Sequence, residues 1–371
     1  MSAMHRWVKT IALIAIVLCT VAITAGYVYT RQSVIVPHIV PAAGETGQVT
    51  ATHSFRFEDH MVTITVPVSA AVYDGAKATD KSVSIYGNVS ESTWVSASYL
   101  AMVNDSVQDT MYDELAGQFR QIRDNEHLTS DEYIELLAAY VQSLTYKTSP
   151  DSPAKYPVET VVDGSGDCDD KSLLLAGLLF HEGYNVTLLS FSPEAHMALG
   201  IASTDALYRD IGFAYLETTN LSYVGVPPTE LTNGVILTSE PLIIPVGDGT
   251  MEYTSGGETT YIATMADTSA QKAEALGQQV QAEESALLAQ KDRIEQLETQ
   301  MEVFKNNGNI QAYNAQVGTH NVLVNTYNTG LASYRQQYAK FKAWADLHNY
   351  IVTHAYDRKG VYDYIRANLP A

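Results

Sequence analysis

Between residues 273 and 341 the chain carries an apolar seam at alternating spacings of three and four, and no other feature narrows its fold as far. One side of the seam reads Ala273, Leu276, Val280, Glu283, Leu287, Gln290, Ile294, Leu297, Met301 and Phe304. The other reads Ile310, Tyr313, Val317, His320, Val324, Tyr327, Leu331, Tyr334, Tyr338 and Phe341. Alternating threes and fours keep one face of an α-helix against a partner helix. Asn306-Asn307-Gly308-Asn309 interrupts the pattern. Two arms of similar length around a polar turn predict an antiparallel coiled-coil hairpin over residues 265–349, each arm about 50 Å long. Its Tyr and His residues read as seam packing, while Glu283 and Gln290 set register at some cost in stability. Such a hairpin would serve a protein partner or self-association. Residues 350–371 read as a further helix.

The remaining sequence follows a different pattern. With 371 residues, 46% of them apolar, the chain has the means for a cored domain beside the hairpin. Residues 11–29, IALIAIVLCTVAITAGYVY, hold no charge and would extend about 28 Å as a helix, just enough to cross a bilayer. Arg6 and Lys9 precede the run and favour a cytoplasmic N-terminus. Ile23-Thr24-Ala25 is a poor cleavage site, so residues 1–31 are expected to be an uncleaved single-pass anchor, with the body outside the cell. Residues 32–50 read as a linker, 51–125 as a strand and helix region, 126–247 as an α+β domain and 248–264 as a Gly/Thr-rich hinge. Within them MVTITVPV and SVSIYGNV are strand signals, 96–122 and 129–145 are helical, and NVTLLSF, HMALGIA and FAYLETT are three further strands. The net charge is −20, from 42 acidic and 22 basic side chains, with no basic stripe, which argues against nucleic acid as a partner.

Inside the α+β region stands GSGDCDDKS, residues 164–172, just before the apolar run LLLAGLLF. Only two cysteines exist, Cys19 in the apolar run and Cys168 here, so Cys168 has no disulfide partner in the external body. The glycines permit a sharp turn, and Asp167 or Ser165 can cap a helix that starts here. Cys168 then falls in the first turn, where the helix dipole favours a thiolate, against the opposing charge of Asp169 and Asp170. A nucleophilic thiol needs a base and a group to orient that base. His196 opens HMALGIA, and Glu217 lies in FAYLETT on the next strand.

The segment from YVQSLTYK through GSGDCDDKSLLLAGLLF and HMALGI to AYLETT, about residues 133–226, resembles the transglutaminase-like superfamily, and within it the membrane-anchored archaeal type. The resemblance covers roughly a quarter of the chain. It implies an α+β, papain-like core in which a cysteine helix packs on an antiparallel sheet that carries the histidine and the acid. Carried over residue by residue, it makes Cys168 the nucleophile, His196 the base and Glu217 the orienting acid, although many relatives place Asp at this last position. No tryptophan follows the cysteine helix as an oxyanion donor, so Gln142 takes that place by analogy with papain-like enzymes.

The resulting expectation is a membrane-anchored, extracytoplasmic cysteine peptidase, amidohydrolase or acyltransferase that works on a peptide or protein through a thioester. The alternative is a catalytically silent binding or envelope scaffold that uses its hairpin. No cofactor is implied, but Asp167, Asp169 and Asp170 are weak candidate ligands for calcium. Asn88, Asn104, Asn185 and Asn220 lie in glycosylation sequons.

Overall fold

The computed structural model describes residues 16–22, 33–148, 152–231 and 234–370. It divides into two compact units, Met1–Gly256 and Gly257–Ala371. The first unit contains β1 (Ser33–Ile35), β2 (Gln48–Phe57), β3 (His60–Ser69), α1 (Ala70–Ala78), β4 (Ser84–Tyr86), α2 (Glu91–Val103), α3 (Asp109–Glu126) and α4 (Ser130–Ser143). It continues with β5 (Thr145–Tyr146), α5 (Pro157–Asp163), β6 (Ser165–Gly166), α6 (Cys168–His181), β7 (Val186–Phe191), β8 (His196–Ala202), β9 (Phe213–Leu216) and β10 (Leu242–Pro245).

The centre of this unit is α6. From Lys171 to Leu179 every residue is buried, so the helix is apolar around almost its whole circumference and must be surrounded. One side packs on a four-stranded antiparallel sheet of order β10-β7-β8-β9. The other sides meet α2, α3, α4 and α5. Burying each leucine of this helix contributes about 1.5–3 kcal/mol relative to exposure. Helix α4 starts on a capping box, with Thr129 accepting from Glu132 N and Glu132 accepting from Thr129 N. The hairpin β2/β3 lays Val62, Ile64, Val66 and Val68 inward while the residues between them face away, the alternation read in MVTITVPV.

Several boundaries differ from expectation. The linker over 32–50 contains β1 and the start of β2. The helix expected over 96–122 is two helices, because Asp105 turns its carboxylate inward to accept from Ile39 N and Val107 N and breaks the ladder. β10 was not foreseen; Pro241 and Pro245 bracket it, and such a strand is tolerated at a sheet edge, where it lies.

The second unit holds α7 (Gly256–Asn306), α8 (Ile310–Thr353) and α9 (Arg358–Asn368). His348 Nδ1 contacts Ala266 O, Ser333 bonds Glu283 and His320 bonds Glu298, so positions advance along one helix as they recede along the other. The two long helices are therefore an antiparallel pair. Val280, Leu287 and Met301 are buried on the seam, whereas Tyr338 and Ile310 are exposed. The arms are longer than 265–349, since half of the expected hinge over 248–264 is already α7. Its Gly256-Gly257 start is followed by Glu258 in the first turn, where a carboxylate is favourable, and by buried Ile262.

The expected anchor over 1–31 lies outside the described residues except for 16–22, which are helical. Among the described residues no helix is long and apolar enough to cross a membrane.

Candidate active site

The turn GSGDC has a reason at each position. Gly164 ends α5 with φ +62, a left-handed conformation that suits glycine. Gly166 cannot be larger, because a Cβ there would meet the Asp170 side chain at 2.5 Å. Asp167 caps α6, its Oδ1 accepting from Asp170 N, and Asp170 Oδ2 accepts from Asp167 N in return. Cys168 is the first residue of the helix.

The strands supply the facing groups. Phe191 and His196 are register partners at the turn between β7 and β8, which places the imidazole at the sheet end. His196 Nε2 lies 3.3 Å from Glu217 Oε2 and 3.2 Å from the Tyr215 hydroxyl. That hydroxyl donates to the same Glu217 Oε2 at 2.7 Å. Glu217 Oε1 accepts from Thr218 N, Thr219 N and Thr219 Oγ1. Burial alone would push this carboxyl up. The hydrogen bond and charge of His196, helped by Thr219, outweigh it and bring it down to about 2. With Nε2 turned to the acid, Nδ1 of His196 has no hydrogen-bond partner among the described residues.

Cys168 and His196 line one cleft of about 490 Å³, together with Tyr99, Tyr146, Asp169 and Ala195. Cys168 is 8% exposed, and its thiol is not the depressed one that a helix start leads one to expect. Burial pushes it up, the adjacent Asp169 charge adds to this, and the Met197 N–H offsets only part. Its hydrogen bonds run to Asp169 Oδ1 at 3.5 Å and Ala195 O at 3.9 Å. Asp169 Oδ2 is fixed by the Tyr99 hydroxyl at 2.9 Å.

Gln142 does not stand at the cleft. Its amide donates to Glu217 O at 2.8 Å and Ser222 O at 3.2 Å, so it braces the chain that leaves β9 and has no donor left for an oxyanion. Beside it Lys171 is wholly buried, and its ammonium donates to Gln142 O and Leu144 O at 3.0 Å and to Thr219 O at 3.3 Å. Burial draws this lysine down to about 8, although Glu217 opposes the shift. The three acidic candidates for calcium point to separate partners: Asp167 to its own helix start, Asp169 to Tyr99 and Cys168, Asp170 to Lys155 N. Among the described residues no group of three or more His, Cys, Asp or Glu is arranged to hold a metal ion.

Sequence reasoning missed Tyr215, Asp169 as a partner of the thiol, and Lys171. Tyr215 carried a usable signal, because it lies two residues before Glu217 in FAYLETT, the spacing that puts side chains of an extended chain on one face. Lys171 was visible as the one lysine of the helix, set where its charged first turn gives way to the apolar run. Tyr99 gave no signal, since only tertiary packing brings α2 to the cleft.

Comparison with protein-family models, with curated proteins and with solved structures finds no match for this chain.

Proposed function

We propose that this chain is a cysteine-dependent acyl-transfer enzyme of transglutaminase-like type, a peptidase, amidohydrolase or acyltransferase acting on a peptide or protein outside the cell from an N-terminal membrane anchor. The observation that carries the reading is one cleft holding a helix-start thiol and an imidazole whose far nitrogen is bound to a buried, ionised carboxylate. Cys168 Sγ attacks the acyl carbon and forms the C–S bond. The thiol proton passes to His196 Nδ1 and then to the leaving amine as the C–N bond breaks. Glu217 holds the ring with Nε2 protonated and balances the imidazolium, and Tyr215 fixes the angle between them. The positive end of α6 opens on the cleft and suits the oxyanion. Water or an amine then cleaves the thioester.

The experiment is incubation of the chain with labelled peptide libraries, with and without an added primary amine. A free acid product points to hydrolysis and an amine-dependent product to transfer, both abolished by Cys168→Ala. A silent scaffold is favoured by one observation, the thiol bonded to Asp169 instead of to the imidazole. Absence of product from a folded chain would support it.

A further inference from the structure

Two acceptors compete for the proton of Cys168, and the resting geometry awards it to the one that is not the base. The thiol donates to Asp169 Oδ1 at 3.5 Å and to Ala195 O at 3.9 Å, and among the described residues no hydrogen bond joins it to His196. Neither competitor is free to drift. Asp169 is pinned through Oδ2 by Tyr99 from α2, and His196 is pinned through Nε2 by Glu217 and Tyr215. His196 lines the same cleft as the thiol, and its Nδ1 has no hydrogen-bond partner among the described residues.

We propose that Asp169 is a further catalytic residue, which holds the proton of the Cys168 thiol in the resting cleft and yields it to His196 when substrate enters. This rests on the acyl-transfer reading above. A buried carboxylate beside a sulfur opposes a standing thiolate, because two negative charges would share one desolvated cleft. The other groups around the sulfur are Asp167, Tyr146 from β5, and His196 and the Met197 N–H from β8. Burial and the Asp169 charge both push the thiol up, in keeping with a protonated resting state. The site therefore does not keep a ready ion pair. Proton loss from sulfur accompanies C–S bond formation: the proton moves from sulfur to His196 and leaves on the amine. Burial pushes the Asp169 carboxyl up, against the hydrogen bonds of Tyr99 and Cys168 and the charge of His196, which favour its ionised form. A resting thiol is also less open to adventitious alkylation or oxidation than a thiolate.

The test needs no substrate, so its failure is distinct from failure of the enzyme reading, which acyl products decide. In a Cys19→Ser background Cys168 is the one thiol, and its alkylation by iodoacetamide at pH 7 is timed on the full chain. Asp169→Asn keeps the side-chain shape and an acceptor for Tyr99 but removes the charge. It is expected to speed alkylation about tenfold, the equivalent of one pKa unit. Asp210→Asn, which removes an exposed charge outside the cleft, should change the rate by less than about threefold. Adding His196→Ala to Asp169→Asn should remove most of the gain, because the imidazole that takes the thiol proton within the cleft is then gone. An Asp169→Asn chain that alkylates at the parental rate or slower overturns the proposal. So does a gain that survives loss of His196. Should Asp169→Asn fail to fold by circular dichroism, the parental chain decides: it must alkylate more slowly than N-acetylcysteine amide at pH 7, and faster alkylation contradicts the proposal.

Discussion

Glu217 in the first unit and Gln290 in the helical hairpin both withdraw an oxygen from water, but their surroundings differ. Glu217 gathers donors from His196, Tyr215, Thr218 and Thr219, whereas Gln290 Oε1 has no hydrogen-bond partner among the described residues. Glu283 Oε2, a little earlier on the seam, is in the same position. A buried carboxylate with a full set of donors is rigid and aims its partners. A seam amide without a partner costs desolvation and returns only register. The two units thus use buried polarity for different ends, one to fix the imidazole of His196 against Glu217 and Tyr215 and the other to specify a pairing.

The sharpest way to break this contrast is to remove the group that Glu217 aims. His196→Ala should lower the rate of acyl transfer by about 10²–10⁴, measured as single-turnover thioester formation. A loss below tenfold would mean that the imidazole is only a packed side chain. Next in size is Leu174→Ala in α6, expected to destabilise the first unit by about 2–5 kcal/mol in urea unfolding, since the leucine is fully buried.

Polar exchanges should then separate the units by sign. Glu217→Gln should destabilise the first unit by about 2–3 kcal/mol at pH 7, because donors lose a charged acceptor. Folding holds this carboxyl at about 2, below its ordinary 4.5. Its stabilisation is therefore complete above about pH 4.5 and is lost as pH falls toward about 2. The gap between parent and Glu217→Gln should close over that window; a gap constant with pH would refute the ionised buried acid. The smallest expected effect is Gln290→Leu, which should stabilise the hairpin by about 1 kcal/mol, read as a rise in its melting temperature. A fall would mean that Gln290 is partnered in solution.

What the sequence disclosed follows from how locally each feature is encoded. The seam was legible because helical period is a property of neighbours three and four apart, and its two clear failures are Ile310, at the turn, and Tyr338, both exposed. The turn GSGDC was legible because caps and glycine conformations are also local. Strands β7 and β8 were found at nearly their observed bounds, whereas β9 ends at Leu216, so Glu217 of FAYLETT stands just past the strand that neighbours His196's. The charge state of the thiol was not legible. The helix dipole argued for depression, but burial and the Asp169 carboxylate, held in place by Tyr99 from a distant helix, reverse the sign. Gln142 was assigned by analogy, and only the fold shows its amide spent on the chain beyond Glu217.

The central claim is that Cys168 becomes acylated with His196 as its base. Intact-mass analysis of the folded chain after reaction with an activated acyl donor, such as a peptide p-nitrophenyl ester, tests it most directly. The account predicts one acyl adduct, mapped to Cys168, absent in Cys168→Ala and formed at least a hundredfold more slowly in His196→Ala. A folded chain with a titratable Cys168 thiol that gains no adduct, or gains it equally fast without His196, would contradict it.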